Sequence, residues 1–144
     1  MYIDTVTLFN RFSDAGKTFW RATVLRNVDF NSDRAKIRAT YGEQSGDNAI
    51  LHVAYSGQNR VQNALFVLPK DYMKLAETSG YITFQTGDRF DFFMNGVWNG
   101  DEVVADADYT KGFFDYMKKN FDEVFAVTGY AKYSVIPHFE VTGK

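Results

Sequence analysis

The sequence predicts a mainly β fold, a β-barrel or sandwich of about seven to nine short strands with one α-helix from its C-terminal half packed on it. Three observations predict it. Aromatic residues make up 17% of the chain, as Phe 14, Tyr 9 and Trp 2, and such rings fit the pleated, half-buried surface of a sheet. Apolar and polar residues alternate with period two in several runs, the spacing that sorts them onto opposite faces of a strand. Only one stretch, beginning near Tyr109, carries the i, i+3, i+4 spacing of an amphipathic helix.

The elements follow in order. In Ile3-Asp4-Thr5-Val6-Thr7-Leu8-Phe9-Asn10-Arg11-Phe12, β-branched and aromatic residues dominate, and Val6, Leu8 and Phe12 share a face. Ser13-Asp14-Ala15-Gly16-Lys17 supplies turn chemistry, and Thr18 to Leu25 resumes the extended pattern, making a β-hairpin. Asn27 to Asp33 reads as a polar turn around Val28 and Phe30. Arg34-Ala35-Lys36-Ile37-Arg38-Ala39-Thr40-Tyr41 alternates strictly, so it predicts a strand with a solvated basic face and a buried one. A loop over Gly42 to Asn48 leads into a core strand, Ala49 to Tyr55. After a polar connection from Ser56 to Asn63 come a short strand at Leu65 to Leu68 and Pro69, which opens a turn or short helix through Glu77.

Tyr81 to Phe84 and Arg89 to Phe93 read as strands joined by a turn at Gln85 to Asp88. Asn95-Gly96 and Asn99-Gly100 are tight-turn dipeptides flanking Val97-Trp98. Asp106 and Asp108 are placed to cap the helix, on which Phe113, Tyr116 and Met117 form the apolar face. Lys118 and Lys119 fall at its C-terminal end, where the helix dipole favours cations. Two last strands, Glu123 to Thr128 and Ser134 to Thr142, are expected to meet at a turn around Gly129.

With 144 residues, against roughly 150 per domain, the chain reads as a single domain over 1–144. It contains no cysteine, which excludes disulfides, thiolate metal sites and cysteine nucleophiles. The opening residues Met1-Tyr2-Ile3-Asp4 lack a signal-peptide pattern, and no apolar run reaches the roughly 20 residues of a membrane span. The net charge is −2, which argues against a general nucleic-acid binder. It is unevenly spread: residues 1–72 hold 9 Lys/Arg and 7 Asp/Glu, residues 73–144 hold 7 and 11.

No catalytic constellation emerges. His52 and His138 both lie inside strand patterns, with no partner at a metal-ligand spacing such as H-x-x-x-H, so they read as structural, whether or not they meet in space, and no metal or cofactor is expected. The acids from Asp101 to Asp108 lack the glycine and terminal glutamate of a calcium loop, and read as caps and solvated loop. Asp88, Asp91 and Glu102 offer only a weak case for a paired-carboxylate site. Gly42-Glu43-Gln44-Ser45-Gly46 does not match a nucleophile elbow. The row Arg34, Lys36 and Arg38, with Arg21 and Arg26 nearby in sequence, is the best candidate for a polyanion or acidic-subunit contact. The plainer reading is a solvated strand face. Phe90, Phe92, Phe93 and Trp98 are candidates for an aromatic binding surface or, more simply, for core.

Val6-Thr7-Leu8-Phe9-Asn10-Arg11, a short turn, and Thr18-Phe19-Trp20-Arg21-Ala22-Thr23-Val24-Leu25-Arg26-Asn27-Val28 resemble the start of small tailed-phage head–tail joining, or minor capsid, proteins. Gly87-Asp88-Arg89-Phe90 resembles the glycine-aspartate-arginine step before a late strand of those proteins. Tyr81-Ile82-Thr83-Phe84-Gln85-Thr86-Gly87-Asp88, Asp91-Phe92-Phe93 and Tyr133-Ser134-Val135-Ile136-Pro137-His138-Phe139-Glu140 are similar to an uncharacterised family associated with prophage structural-gene clusters, a likeness spanning nearly the whole chain. The first resemblance implies a head-closure (stopper) or neck protein, a small β-barrel forming rings of six or twelve between the portal and the tail. The helix from about residue 109 and the greater length depart from that pattern, which leaves neck, tail-terminator and capsid-accessory places open.

The expectation is therefore a non-enzymatic virion structural protein of the head–tail connector, assembled in the host cytoplasm, that helps retain DNA. Its partners would be copies of itself, portal or adaptor and tail proteins, and packaged DNA by non-specific contact through Arg34, Lys36 and Arg38, with no membrane. The alternative is a β-sandwich carbohydrate- or protein-binding module, monomeric, with Phe92, Phe93 and Trp98 as its platform. A hydrolase would need His52 or His138 beside a carboxylate in a pocket.

Overall fold

The computed structural model describes residues 2–33 and 47–144. The strand expected over 34–41, and with it Arg34, Lys36 and Arg38, lies outside the described residues, as does most of the 42–48 loop. The described chain is mainly β. Its strands are β1 (Asp4–Asp14), β2 (Lys17–Asn31), β3 (Ala49–Ala54), β4 (Arg60–Val61), β5 (Ala64–Phe66), β6 (Tyr81–Ile82), β7 (Phe92–Asn95), β8 (Val103–Ala105), β9 (Val124–Tyr133) and β10 (His138–Gly143). Two α-helices join them, α1 (Pro69–Tyr72) and α2 (Phe113–Asn120).

Six strands close on themselves in the order β1-β7-β9-β10-β3-β2, with β2 returning to β1, and every neighbouring pair in this ring is antiparallel. Closure removes the free edges of the sheet. β8 adds to the outside of this circuit along Phe19–Arg21 of β2. The chain from β3 to β7 forms a second, three-stranded sheet, β4-β5-β6. Register puts the start and end of that excursion at one end of the barrel, because Ala54 pairs with His138 and Phe92 pairs with Phe9.

The alternation that predicted strands sorts two cores. Val6 and Leu8 of β1, Phe93 of β7, Phe125 and Val127 of β9, Phe139 and Val141 of β10 and Leu51 and Val53 of β3 fill the barrel, joined by Phe66, Ile82 and Phe84 from the excursion. The opposite faces of the same strands bury Phe9, Phe92, Met94 and Val124 beneath Phe113 and Met117 of α2. β1 is therefore covered on both sides, which is why apolar residues occupy consecutive positions in it rather than one face alone.

Several boundaries differ from the expectation. The turn expected at Asn27–Asp33 is instead strand: β2 continues to Asn31 through a bulge opposite Asp4–Val6. Asn27 takes φ 53 there, a left-handed conformation that Asn adopts more readily than most residues. The Gln62 side chain receives a hydrogen bond from the Arg26 N–H at 3.1 Å and donates one to the Arg26 carbonyl, so the irregular backbone is satisfied. Past the bulge β2 leaves β1 and pairs with β3, which turns the corner of the barrel. At the other end of the chain, β9 runs straight through Gly129, and the reversal falls at Ser134–Pro137. Gly129 sits beside a second register shift, where Thr142 pairs with Gly129 and Gly143 with Val127.

The acidic stretch holds an unexpected strand, β8, whose Val104 is buried against Trp20 and Phe113 in the outer core. The helix starts four residues later than Tyr109 because Gly112, at φ 91, interrupts the chain. Asp106 still caps it from across that break: its Oδ1 accepts the Phe113 N–H at 2.9 Å and the Trp20 indole N–H at 2.9 Å.

Candidate functional site

The most distinctive exposed region is the tip of the β9–β10 hairpin and the strand surface below it. The turn Ser134–Pro137 carries Val135 at 95% and Ile136 at 75% exposure, next to Tyr133 at 45%. A hairpin of this length forms because Val141 and Phe139 on β10 and Val127 and Phe125 on β9 face the barrel core. The last rungs, Lys132 against Phe139 and Tyr133 against His138, carry the turn outward. Its base is pinned by Tyr55, whose hydroxyl donates to the Tyr133 carbonyl at 2.9 Å and whose N–H donates to the Pro137 carbonyl at 3.3 Å.

Directly beneath the turn the structure brings the two histidines together. His138 and Glu140 are two apart on β10 and so share its outward face, while Glu140 pairs in register with His52 of β3 and His52 with Asp29 of β2. Asp29, His52 and Glu140 thus form one row across three strands. His52 Nδ1 lies 3.3 Å from Asp29 Oδ2 and His52 Nε2 lies 3.5 Å from Glu140 Oε2. The rings of His52 and His138 are 5.6 Å apart, and Tyr133 stacks on His138 at 4.9 Å. His138 Nδ1 is 2.7 Å from the Ile136 carbonyl; a carbonyl only accepts, so this nitrogen carries the proton. Burial, and then the negative charges of Asp29 and Glu140, raise the Tyr2 hydroxyl pKa above its ordinary value. The two histidines, 86 positions apart in sequence, do meet in space, a contact that the sequence left open and that barrel closure creates.

A second polar region is internal. Asp91 is fully buried at the mouth of β7. Its Oδ1 accepts the N–H of Arg11 and the Gln85 amide, and its Oδ2 accepts Asn10 Nδ2 and the N–H of Gln85, all at 2.7 to 2.8 Å. Burial pushes this carboxyl up to about 7, against the opposing pull of those donors. Asn10 also donates to the Thr83 carbonyl at 2.7 Å, so the node ties the β6–β7 connection to β1. Nearby, a cavity of about 310 Å³ is lined by Arg11, Phe12, Arg21, Tyr72, Thr78 and Arg89 among others. Tyr72 is buried and its hydroxyl pKa raised, by burial first and the Asp91 charge second.

The other candidates fall as follows. Arg21 is not part of an exposed basic face: it is buried, donating to Thr78 Oγ1 at 2.8 Å and pairing with Glu77 at 3.2 Å and Glu102 at 3.4 Å. Arg26 is exposed. Phe92 and Phe93 are completely buried on opposite faces of β7, because that strand is covered on both sides. Trp98 packs edge-on against Phe9 and Phe113 and donates its indole N–H to the Asp101 carbonyl at 3.0 Å. These three rings therefore form no shared exposed platform. Asp91 and Glu102 serve separate networks, the first inside the barrel and the second on Arg21. Among the described residues, no helix is long and apolar enough to cross a membrane.

Comparison with known proteins gives one family. No curated protein and no solved structure matches the chain significantly. A family model, described as a family of unknown function, matches residues 1–144. The chain therefore belongs, over its whole length, to the family of unknown function DUF6751.

Proposed function

We propose that the chain is a non-enzymatic structural protein of a tailed-phage virion, a head-closure or neck component at the head–tail junction that acts by assembling into a ring with copies of itself. The observation that carries this reading is the β9–β10 tip, where Val135 and Ile136 stand almost fully in solvent at the end of a well-pinned hairpin. Covering either side chain contributes about 1.5–3 kcal/mol, and a rigid apolar tip gains that contribution with little ordering cost. The occupant that fits is a neighbouring copy in a closed ring, since a head-to-tail contact whose rotation closes gives a finite assembly. The surplus of basic residues in the first half of the sequence and of acidic residues in the second provides complementary charge for such a contact. Arg34, Lys36 and Arg38 are the residues assigned to acidic groups of the neighbour or to packaged DNA. A closed barrel with one end built up by a second sheet is compatible with the joining-protein resemblance of the opening hairpin.

The test is mass by light scattering across concentration and salt, with negative-stain imaging. The expected result is a ring of six or twelve. The double variant Val135→Asp/Ile136→Asp should reduce it to monomer with an unchanged far-ultraviolet circular dichroism spectrum, and reversing Arg34, Lys36 and Arg38 should make assembly weaker. A strict monomer under every condition overturns the ring, and assemblies that survive the aspartate pair overturn the role of the tip.

A further inference from the structure

We propose that His52, His138 and Glu140 form a binding site for a divalent transition-metal ion, zinc in first place, held by both imidazoles and one carboxylate. One ligating atom from each of the three lies within 4.8 Å of the others. Tetrahedral ligands on bonds of about 2.0–2.1 Å stand about 3.4 Å apart, and His52 Nε2 and Glu140 Oε2 are already 3.5 Å apart. The three ligand atoms lie within 4.8 Å of one another, wider than that spacing, so seating the ion asks for a side-chain adjustment that draws them together.

The surroundings orient both rings for this. His138 presents Nδ1–H to the Ile136 carbonyl, which leaves Nε2 as its lone-pair nitrogen. His52 has Asp29 at Nδ1 and Glu140 at Nε2. A metal-bound histidine commonly directs its second nitrogen to a carboxylate or a backbone carbonyl, and those are the two partners found. His52 Nε2 and Glu140 Oε2 face each other at 3.5 Å, so an ion seated between them is reached by both. The ligands also rest on rigid elements. Two lie on β10 and the third on its hydrogen-bonded neighbour β3, so their spacing is fixed by sheet register rather than by loop conformation. The set of two imidazoles and a carboxylate suits zinc and neighbouring transition metals, and not magnesium or calcium, which take all-oxygen ligands. All three ligands are half-buried, so an open coordination position for water remains at the surface.

The site does not depend on ring assembly, and its test is separate. The full chain, treated with chelator and exchanged into a non-coordinating buffer at pH 7.5, is titrated calorimetrically with zinc chloride, and cobalt(II) absorption reports the coordination number. The expected result is one ion per chain, affinity at least tenfold weaker in His138→Gln and in Glu140→Gln, and no binding of magnesium or calcium. Zinc should raise the unfolding temperature of the wild-type chain and leave those variants unmoved. His138 borders the exposed turn, so His138→Gln keeps the test informative if Glu140→Gln perturbs folding. Wild-type binding no tighter than that of His138→Gln overturns the proposal.

Discussion

Replacing Asp91 by asparagine tests the buried node through its dependence on pH. The substitution keeps the shape but turns one oxygen into an N–H₂ group. Two of the four N–H groups now aimed at the carboxylate would then face a donor. Each orphaned buried donor costs about 1–3 kcal/mol, so the loss is about 4 kcal/mol below pH 4, where the carboxyl is neutral in the folded and the unfolded chain alike. The wild-type side chain has its own cost. Burial raises its pKa from 3.8 to about 7, so between those values the folded chain holds a proton that the unfolded chain has lost. Stability from this group is therefore fully present below pH 4 and falls as pH rises to 7. From pH 5 to 7 that is two pH units at about 1.4 kcal/mol each, or about 3 kcal/mol.

The asparagine side chain does not titrate. The cost of Asp91→Asn, measured by urea unfolding, should thus be about 3 kcal/mol smaller at pH 8 than at pH 5. His52 and His138 are common to both proteins, so their titration cancels in the difference. A cost that is equal at the two pH values, or larger at pH 8, refutes the reasoning. It would mean that the four donors outweigh burial and hold the carboxylate charged throughout.

Two other substitutions probe the outer and inner cores. Asp106→Ala removes the shared acceptor of the Trp20 indole and the Phe113 N–H; it should cost about 2–4 kcal/mol and alter the near-ultraviolet circular dichroism of Trp20. Asp106→Asn, which keeps a carbonyl oxygen, should cost less than half as much. Gly143→Ala places a Cβ 2.9 Å from the Cβ of Phe125 and 3.0 Å from the Phe93 ring; overpacking there should lower stability by about 1–3 kcal/mol, read as a lower urea midpoint with unchanged slope.

The sequence by itself determined the β class, the first hairpin, the single amphipathic helix and two of the residues it buries, Phe113 and Met117, whereas Tyr116, expected on the same face, is exposed. These follow from local rules: period two in Val6–Leu8, turn chemistry at Asp14–Lys17, and the spacing of Phe113 and Met117 under an Asp106 cap. It also marked His52 and His138 as worth testing, but not as neighbours. What only tertiary structure decided depends on pairings between residues distant in sequence. β2 extends past Asn27 because Gln62 and β3 satisfy its bulged backbone. β8 forms in an acidic stretch because Val104 finds the outer core. Gly129 is strand rather than turn because β10 pairs across it. Phe92 and Phe93 are both buried because β7 is covered on two sides, which alternation in one strand cannot reveal. The histidine–carboxylate row exists only because barrel closure sets β3 beside β10 in one register, and a shift of one residue would turn His52 inward and the row would vanish.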